Sequence, residues 1–326
     1  MLTKNISKFI IVLGVLSITA GLGCKDELNL PNQPIDSYTK IYMPQAVNPP
    51  TLKTFKITDD PQTITYGANY GGYDFAPQDV PITFKVNKDA VAAYNLSNGT
   101  AYPILPDDSY TLSALSTTIP KGAVATPPLN ISLKTKGLGA MAALQDYILP
   151  VSIASSTVKV NEALRTTYYI VKVQPELSDY PNYDRSLWTL LSFSSQEASG
   201  EGVNNGRAIF ALDGKNDTYW STQWQGASPG PPHILTIDIG SVKVFHGLSI
   251  LGRQADVAGK ANEVKVELSE DNVTWVNAGT VNLANNKTLQ SVFFKDGFGK
   301  NFRYFKLIIN SCYGGNSAQV AEFNAF

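Results

Sequence analysis

The run His233-Ile234-Leu235-Thr236-Ile237-Asp238-Ile239-Gly240 places Leu235, Ile237 and Ile239 on one side of the chain and Thr236 and Asp238 on the other. Only a pleated strand, whose side chains alternate with period two, sorts these residues onto separate faces. The same alternation returns at Val264, Val266 and Leu268 against Lys265, Glu267 and Ser269, and Arg303 to Ile309 reads as a late, largely buried strand. In the first half, Thr54 to Thr58 and Ile82 to Val86 alternate, while Tyr147 to Val151 and Tyr168 to Val173 are rich in β-branched and aromatic residues. Turn clusters separate these runs, drawing on 25 glycines and 19 prolines. Short strands punctuated at regular intervals predict an all-β chain of two antiparallel β-sandwich domains. One short helix is expected at Lys88 to Tyr94, closed by the turn-prone Asn98-Gly99.

A chain of 326 residues suits two domains. The polar, turn-rich stretch 175–185 marks the boundary, giving an N-terminal sandwich at 41–174 and a second domain at 186–326. The two cysteines are Cys24 and Cys312; if Cys24 is acylated Cys312 has no partner, so no disulfide framework carries the fold and each domain must rely on an apolar core. A formal charge of −1 gives no electrostatic reason for a nucleic-acid partner. Two histidines and the absence of HExxH, GxSxG, paired CxxC or P-loop motifs leave little catalytic vocabulary.

The first residues read as an export signal. Lys4 and Lys8 precede an apolar run, Phe9 to Gly23, too short to span a hydrocarbon core that needs about 20 residues. Gly21-Leu22-Gly23-Cys24 resembles the lipobox of bacterial lipoproteins, which implies cleavage after residue 23 and acylation of Cys24. Residues 24–40, polar and carrying Pro31 and Pro34, read as a tether. Lys25-Asp26-Glu27 resembles the surface-export signal of Bacteroidetes lipoproteins, implying an outer-membrane, outward-facing location. Residues 36–174, with the Tyr147-Ile148-Leu149-Pro150-Val151 pattern, resemble a β-sandwich domain of unknown function that follows the lipidated cysteine in such proteins. That likeness implies a spacer.

Ala211-Leu212-Asp213-Gly214-Lys215-Asn216-Asp217-Thr218-Tyr219-Trp220-Ser221 resembles the early loop of discoidin (coagulation-factor type C) domains. Later landmarks follow in the same order: Ile237 to Gly240, Leu251 to Gln254, Ser269 to Asn272 with Trp275, and Ala321-Glu322-Phe323. Among these domains the chain is most similar to family 32 carbohydrate-binding modules, whose fold is a jelly roll. Calcium takes 6–8 hard oxygen ligands. Asp213, the turn at Gly214, the Thr218 hydroxyl and Glu322 can supply part of such a set. The resemblance adds backbone oxygens of Phe210, Lys215, Thr218 and Ala321, making calcium a structural cofactor. The alternative is an Asx-turn in which Asp213 caps its own backbone.

For a ligand, Trp224 lies in the polar loop Thr222 to Gly226, where the family often places a stacking aromatic; loop packing is the alternative. Arg253 stands where the family often has a hydroxyl-binding arginine, and otherwise pairs with Asp256 or Glu263. Tyr313 and Asn316, in the loop before the last strand, complete the expected ligand contacts. Trp220 and Trp275 read as core, and His233 as a strand-start residue bonded to backbone. Many galactose-binding relatives carry a histidine where this chain has Ser221, and their asparagine past the arginine has no aligned counterpart.

Together these features imply a non-catalytic, lipid-anchored surface protein that binds a glycan or polysaccharide, with other surface glycan-uptake proteins as partners. Two other readings remain open: adhesion to a protein or lipid, and a structural spacer without a ligand.

Overall fold

The computed structural model describes Pro34, residues 37–255 and residues 257–326. The expected leader, Cys24, most of the tether and Asp256 lie outside the described residues. The fold is all-β, with one α-helix among the described residues.

The first domain contains β1 (Lys40–Tyr42), β2 (Thr51–Phe55), β3 (Gln62–Tyr66), β4 (Asn69–Gly71), β5 (Val80–Val86), α1 (Ala90–Asn98), β6 (Tyr110–Leu112), β7 (Ser116–Ile119), β8 (Leu129–Leu133), β9 (Asp146–Ser156) and β10 (Thr166–Val173). A five-stranded sheet, ordered β2-β10-β9-β5-β7, faces a three-stranded sheet, β3-β8-β6. Along β10 the inward Tyr169, Val171 and Val173 are buried in the main core with Ile64, Ile131 and Leu149. On the other face of that sheet Ile148 and Ile170 form a small separate cluster with Tyr94 of α1.

Three expectations shift here. The helix runs later than Lys88 to Tyr94, ending where Gly99 takes a left-handed φ of +62°. The strand expected at Thr54 to Thr58 starts and stops earlier, because Lys56 N–H leaves the ladder for Gln62 Oε1 (3.1 Å) and Thr58 N–H for Thr135 Oγ1 (3.3 Å). That strand, β2, also pairs parallel to β10, an exception to the antiparallel pattern.

The second domain contains β11 (Thr189–Phe193), β12 (Trp220–Ser221), β13 (His233–Phe245), β14 (Gly247–Gly252), β15 (Glu263–Ser269), β16 (Val276–Asn282), β17 (Gln290–Phe293), β18 (Lys300–Ile309) and β19 (Gln319–Ala325). The sheets β11-β13-β18-β15-β16 and β12-β19-β14-β17 enclose a core that includes Trp220, Leu235, Ile237, Val264, Val266, Phe305 and Phe323. The pattern-breaking Gly240, at φ +84°, marks a register shift in β13 rather than its end, and the strand continues to Phe245.

Trp220 is fully buried, whereas Trp275 is only half-buried and lies under Lys306 Nζ at 3.8 Å from the ring centroid. The segment expected as linker is tied to the second domain. Tyr180 packs on His246 at 4.4 Å between ring centroids, Tyr183 donates to the Val244 carbonyl at 2.6 Å, and Arg185 pairs with Glu322. Cys312, partly buried against the core, has its thiol pushed up to about 12 by burial, so it is inert rather than reactive.

Candidate functional site

Several loops converge at the end of the second domain where β12 ends and β19 begins. Thr222 N–H donates to the Ala318 carbonyl (3.0 Å) and Ala318 N–H to Thr222 Oγ1 (2.9 Å), locking the loop after β12 to the loop before β19. The buried Glu197 organises a third loop. One of its carboxylate oxygens accepts from Gly200 N–H (2.8 Å) and Ser199 N–H (3.2 Å), the other from Gln225 N–H (2.8 Å) and Trp224 N–H (3.1 Å). These amides hold its carboxyl down at about 2, the Gln225 N–H contributing most.

Trp224 is thereby presented with 45% of its surface exposed. Its indole N–H donates to Glu201 Oε1 at 3.0 Å, and its ring rests on Gly200, where an added Cβ would come within 2.6 Å of the indole. A glycine at 200 is what allows the ring this close. The other Glu201 oxygen accepts from the Tyr219 hydroxyl and lies 3.6 Å from Arg253 Nη1. Burial and then the Glu201 bond push the Tyr219 phenol up to about 12, so it stays a donor. Arg253 stacks on the Tyr219 ring at 4.1 Å. With its amide donating to the Ala258 carbonyl, Gln319 accepts from Arg253 at 3.3 Å. The result is a row, Trp224–Glu201–Arg253–Gln319, with an aromatic face at one end and a guanidinium in the middle.

Of the four expected ligand residues, Trp224 and Arg253 are brought together through Glu201. Arg253 pairs with Glu201 rather than with Glu263, while Asp256, the other partner weighed from the sequence, lies outside the described residues. Tyr313 lines a neighbouring cleft with Val257, Ala258, Lys260 and Asn286, its hydroxyl committed to the Leu283 carbonyl at 2.7 Å. Asn316 is exposed and gives its backbone carbonyl to His233 Nε2 at the start of β13. Ser221, in the position of the relatives' histidine, is fully buried and out of reach of a ligand. The loop after Arg253, where the relatives' asparagine has no counterpart, is held from within by Lys260. Its buried ammonium donates to the Val257 and Ala255 carbonyls at 3.0 and 3.1 Å. Sequence reasoning missed Glu197, Glu201, Tyr219 and Lys260. The cue for the two glutamates was the Ser199-Gly200-Glu201-Gly202 turn.

The expected cation loop is assembled as a set of oxygen donors. Asp213 accepts from the Thr218 hydroxyl (2.8 and 2.9 Å) and from Lys215 N–H (3.0 Å), so the Asx-turn is present as well. Glu322 accepts from Gly214 N–H (2.7 Å), Lys215 N–H (3.0 Å) and Arg185. Burial raises the Glu322 carboxyl, Arg185 offsets part of that, and the facing Asp213 carboxylate raises it further. Phe210 lies in a single 3₁₀ turn, Ala208–Ala211, and Ala321 is the unpaired residue of a bulge between β14 and β19, which takes it out of the ladder. Two facing carboxylates, a hydroxyl and off-ladder carbonyls fit a hard cation such as calcium. Among the described residues no cluster of three or more His, Cys, Asp or Glu side chains forms a metal site, so this set depends on backbone oxygens.

Residues 192–323 match the F5/8 type C domain model. The second domain is an F5/8 type C, or discoidin, domain. Residues 36–160 match a separate model described only as an N-terminal domain. The chain is similar to a sialidase of Micromonospora viridifaciens, 29% identical over 93 residues, covering 28% of this chain and 14% of that one. It is also similar to galactose oxidase of Gibberella zeae, 34% identical over 153 residues, covering 44% of this chain and 20% of that one. The chain therefore spans a fifth or less of these curated relatives. Among solved structures, the C-terminal domain of a chitobiase from Bacteroides fragilis is 30% identical, covering 45% of this chain and 97% of that one at a TM-score of 0.42.

Proposed function

We propose that this protein is a non-catalytic, lipid-anchored surface protein that binds glycans through the loop end of its type C domain. The observation that carries this reading is the row from Trp224 to Arg253. Sugar recognition calls for an aromatic face for the apolar side of a pyranose and fixed donors for its hydroxyls, on loops held by a rigid sandwich. Trp224 supplies the face and Arg253 the donors. The names of the two curated relatives, a sialidase and a galactose oxidase, point the same way for the domain family. A glycan array with calcium present tests it. Trp224→Ala is expected to abolish binding to the sugar that the native chain retains, and undiminished binding would remove the assignment.

The non-catalytic reading is supported by the two glutamates beside Trp224. Glycoside hydrolysis needs one carboxyl held protonated as a general acid, yet Glu197 is held ionised by backbone amides and Glu201 is consumed by Trp224 and Tyr219. Acylation of Cys24 would keep the protein at the outer-membrane surface, where neighbouring copies engage one polymer and weak single sites sum to useful avidity. Adhesion to a lipid or protein surface is the second reading, favoured by exposed Val203 and Val257 on the loops that carry Glu201 and Arg253. Co-sedimentation of the unlipidated chain with liposomes separates the two.

Calcium at Asp213, Thr218, Glu322 and the carbonyls of Phe210, Lys215, Thr218 and Ala321 would pin the last strand to the first loop. An ion present at about 100 times its dissociation constant stabilises the state it binds by about 2.7 kcal/mol. Chelation is therefore expected to lower the type C melting transition by several degrees, with calcium restoring it and the first domain's transition unmoved. A thermogram indifferent to chelator would refute the site.

A further inference from the structure

The first domain carries a cleft of about 310 Å³ between α1 and the Pro49-Pro50 segment, lined by Tyr94, Ser97, Asn98 and Tyr168 and by no charged residue. Its size falls within the range of small-ligand sites. Tyr94 is only 9% exposed and packs against Tyr168 with ring centroids 4.5 Å apart and planes tilted by 34°. Burial, and after it the nearby Tyr102 and Tyr168 phenols, raise the Tyr94 phenol above its ordinary value. No protein group among the described residues is bonded to the Tyr94 or Tyr168 hydroxyl, and neither is sealed away from solvent. Ser97 donates its hydroxyl proton to the Ala93 carbonyl (2.9 Å), and the Asn98 amide donates to the Tyr94 carbonyl (2.9 Å) and to Ser97 Oγ (3.2 Å), which leaves the Asn98 amide oxygen as an acceptor.

We infer that this cleft is a second carbohydrate subsite, specific for neutral sugars and independent of the type C site. The Tyr94 side chain is nine-tenths buried, and its phenol, bonded to no protein group and open to solvent, is available to a polar ligand. A hydroxyl-rich ligand meets the Tyr94 and Tyr168 phenols, each both donor and acceptor, together with the Asn98 amide oxygen. The uncharged lining gives no ion partner for a uronate, a sulfate or an amino sugar's ammonium. Because Tyr94 and Tyr168 turn their faces toward each other, the cleft offers ring edges and hydroxyls instead of the open aromatic ridges on which a proline-rich peptide lies. Two sites on one chain would let the protein hold a polysaccharide at two points.

The test uses the full chain carrying Trp224→Ala, so that the type C platform is silent. Saturation-transfer NMR is run against neutral gluco-, galacto-, manno- and xylo-tetrasaccharides. At least one is expected to show saturation transfer. Tyr94→Phe, which removes only the hydroxyl, should weaken that sugar's binding about tenfold. Ser97→Trp, at an exposed helix position, should fill the mouth and abolish it. No transfer from any tetrasaccharide, or binding indifferent to both substitutions, overturns the inference. So does a proline-rich decapeptide that binds the same protein and is lost in the Ser97→Trp form, since the cleft is then a peptide site.

Discussion

Replacing Trp220 by alanine is expected to lower the melting transition of the type C domain by roughly 10–15 °C and leave the first domain's transition in place. The indole is 0% exposed and sits in the core beside Ala208, Val320 and Phe323. Its N–H donates to the Ser195 carbonyl at 2.9 Å. Truncating a buried aromatic costs about 3–5 kcal/mol, because the surrounding side chains collapse only partly into the cavity. Losing the Ser195 bond adds about 1 kcal/mol more. In a domain of this size each kcal/mol moves the midpoint by about 2–4 °C. The two domains have separate cores, so the damage should stay on one side. Calorimetry checks it: if both transitions move together, the two sandwiches unfold as one cooperative unit.

The sandwiches were legible because strand burial imposes period two, and Leu235, Ile237 and Ile239 obey it without exception. Legibility failed where side chains draw the backbone out of a ladder. Gln62 and Thr135 capture the amides of Lys56 and Thr58, and no local pattern announces partners that arrive from another strand. Tyr180 to Arg185 looked like linker because they are polar and turn-rich, yet their partners, His246, Val244 and Glu322, lie some 60 or more positions later in the chain.

The site divides in the same way. That Asp213, Thr218 and Glu322 come together was legible from two landmarks, the loop motif holding Asp213 and Thr218 and the separate Ala321-Glu322-Phe323. Trp224 and Arg253 were readable as residues, but not the carboxylate that joins them. Glu201 stands 23 positions before Trp224 and 52 before Arg253, in a stretch of serine and glycine that reads as a plain turn. Tyr313 lines a neighbouring cleft, and the bond of its hydroxyl to the Leu283 carbonyl is a tertiary commitment invisible in Tyr313-Gly314-Gly315.

Glu197→Gln is expected to cost at least tenfold in glycan affinity at neutral pH while leaving the core folded. Every polar neighbour of this carboxylate is a donor: the amides of Ser199, Gly200, Trp224 and Gln225, and the Ser199 hydroxyl. Glutamine keeps the shape but turns an N–H₂ toward one pair of amides, and two donors cannot share a bond. The loops carrying Glu201 and Trp224 then separate, and the aromatic face loses its fixed relation to Arg253. The same carboxyl predicts a pH dependence. Its folded value of about 2 lies below the ordinary 4.5, so the stabilisation is complete above the unfolded value and declines as pH falls from about 4.5 toward 2. Binding by the native protein should weaken through that window. In Glu197→Gln this part of the acid dependence should be absent, which isolates Glu197 from the neighbouring Glu201. Titration of the array-identified sugar at several pH values, with Trp224 fluorescence reporting its environment, reads both effects. A glutamine form with native affinity would show that the amides of Trp224 and Gln225 hold the loop without the charge.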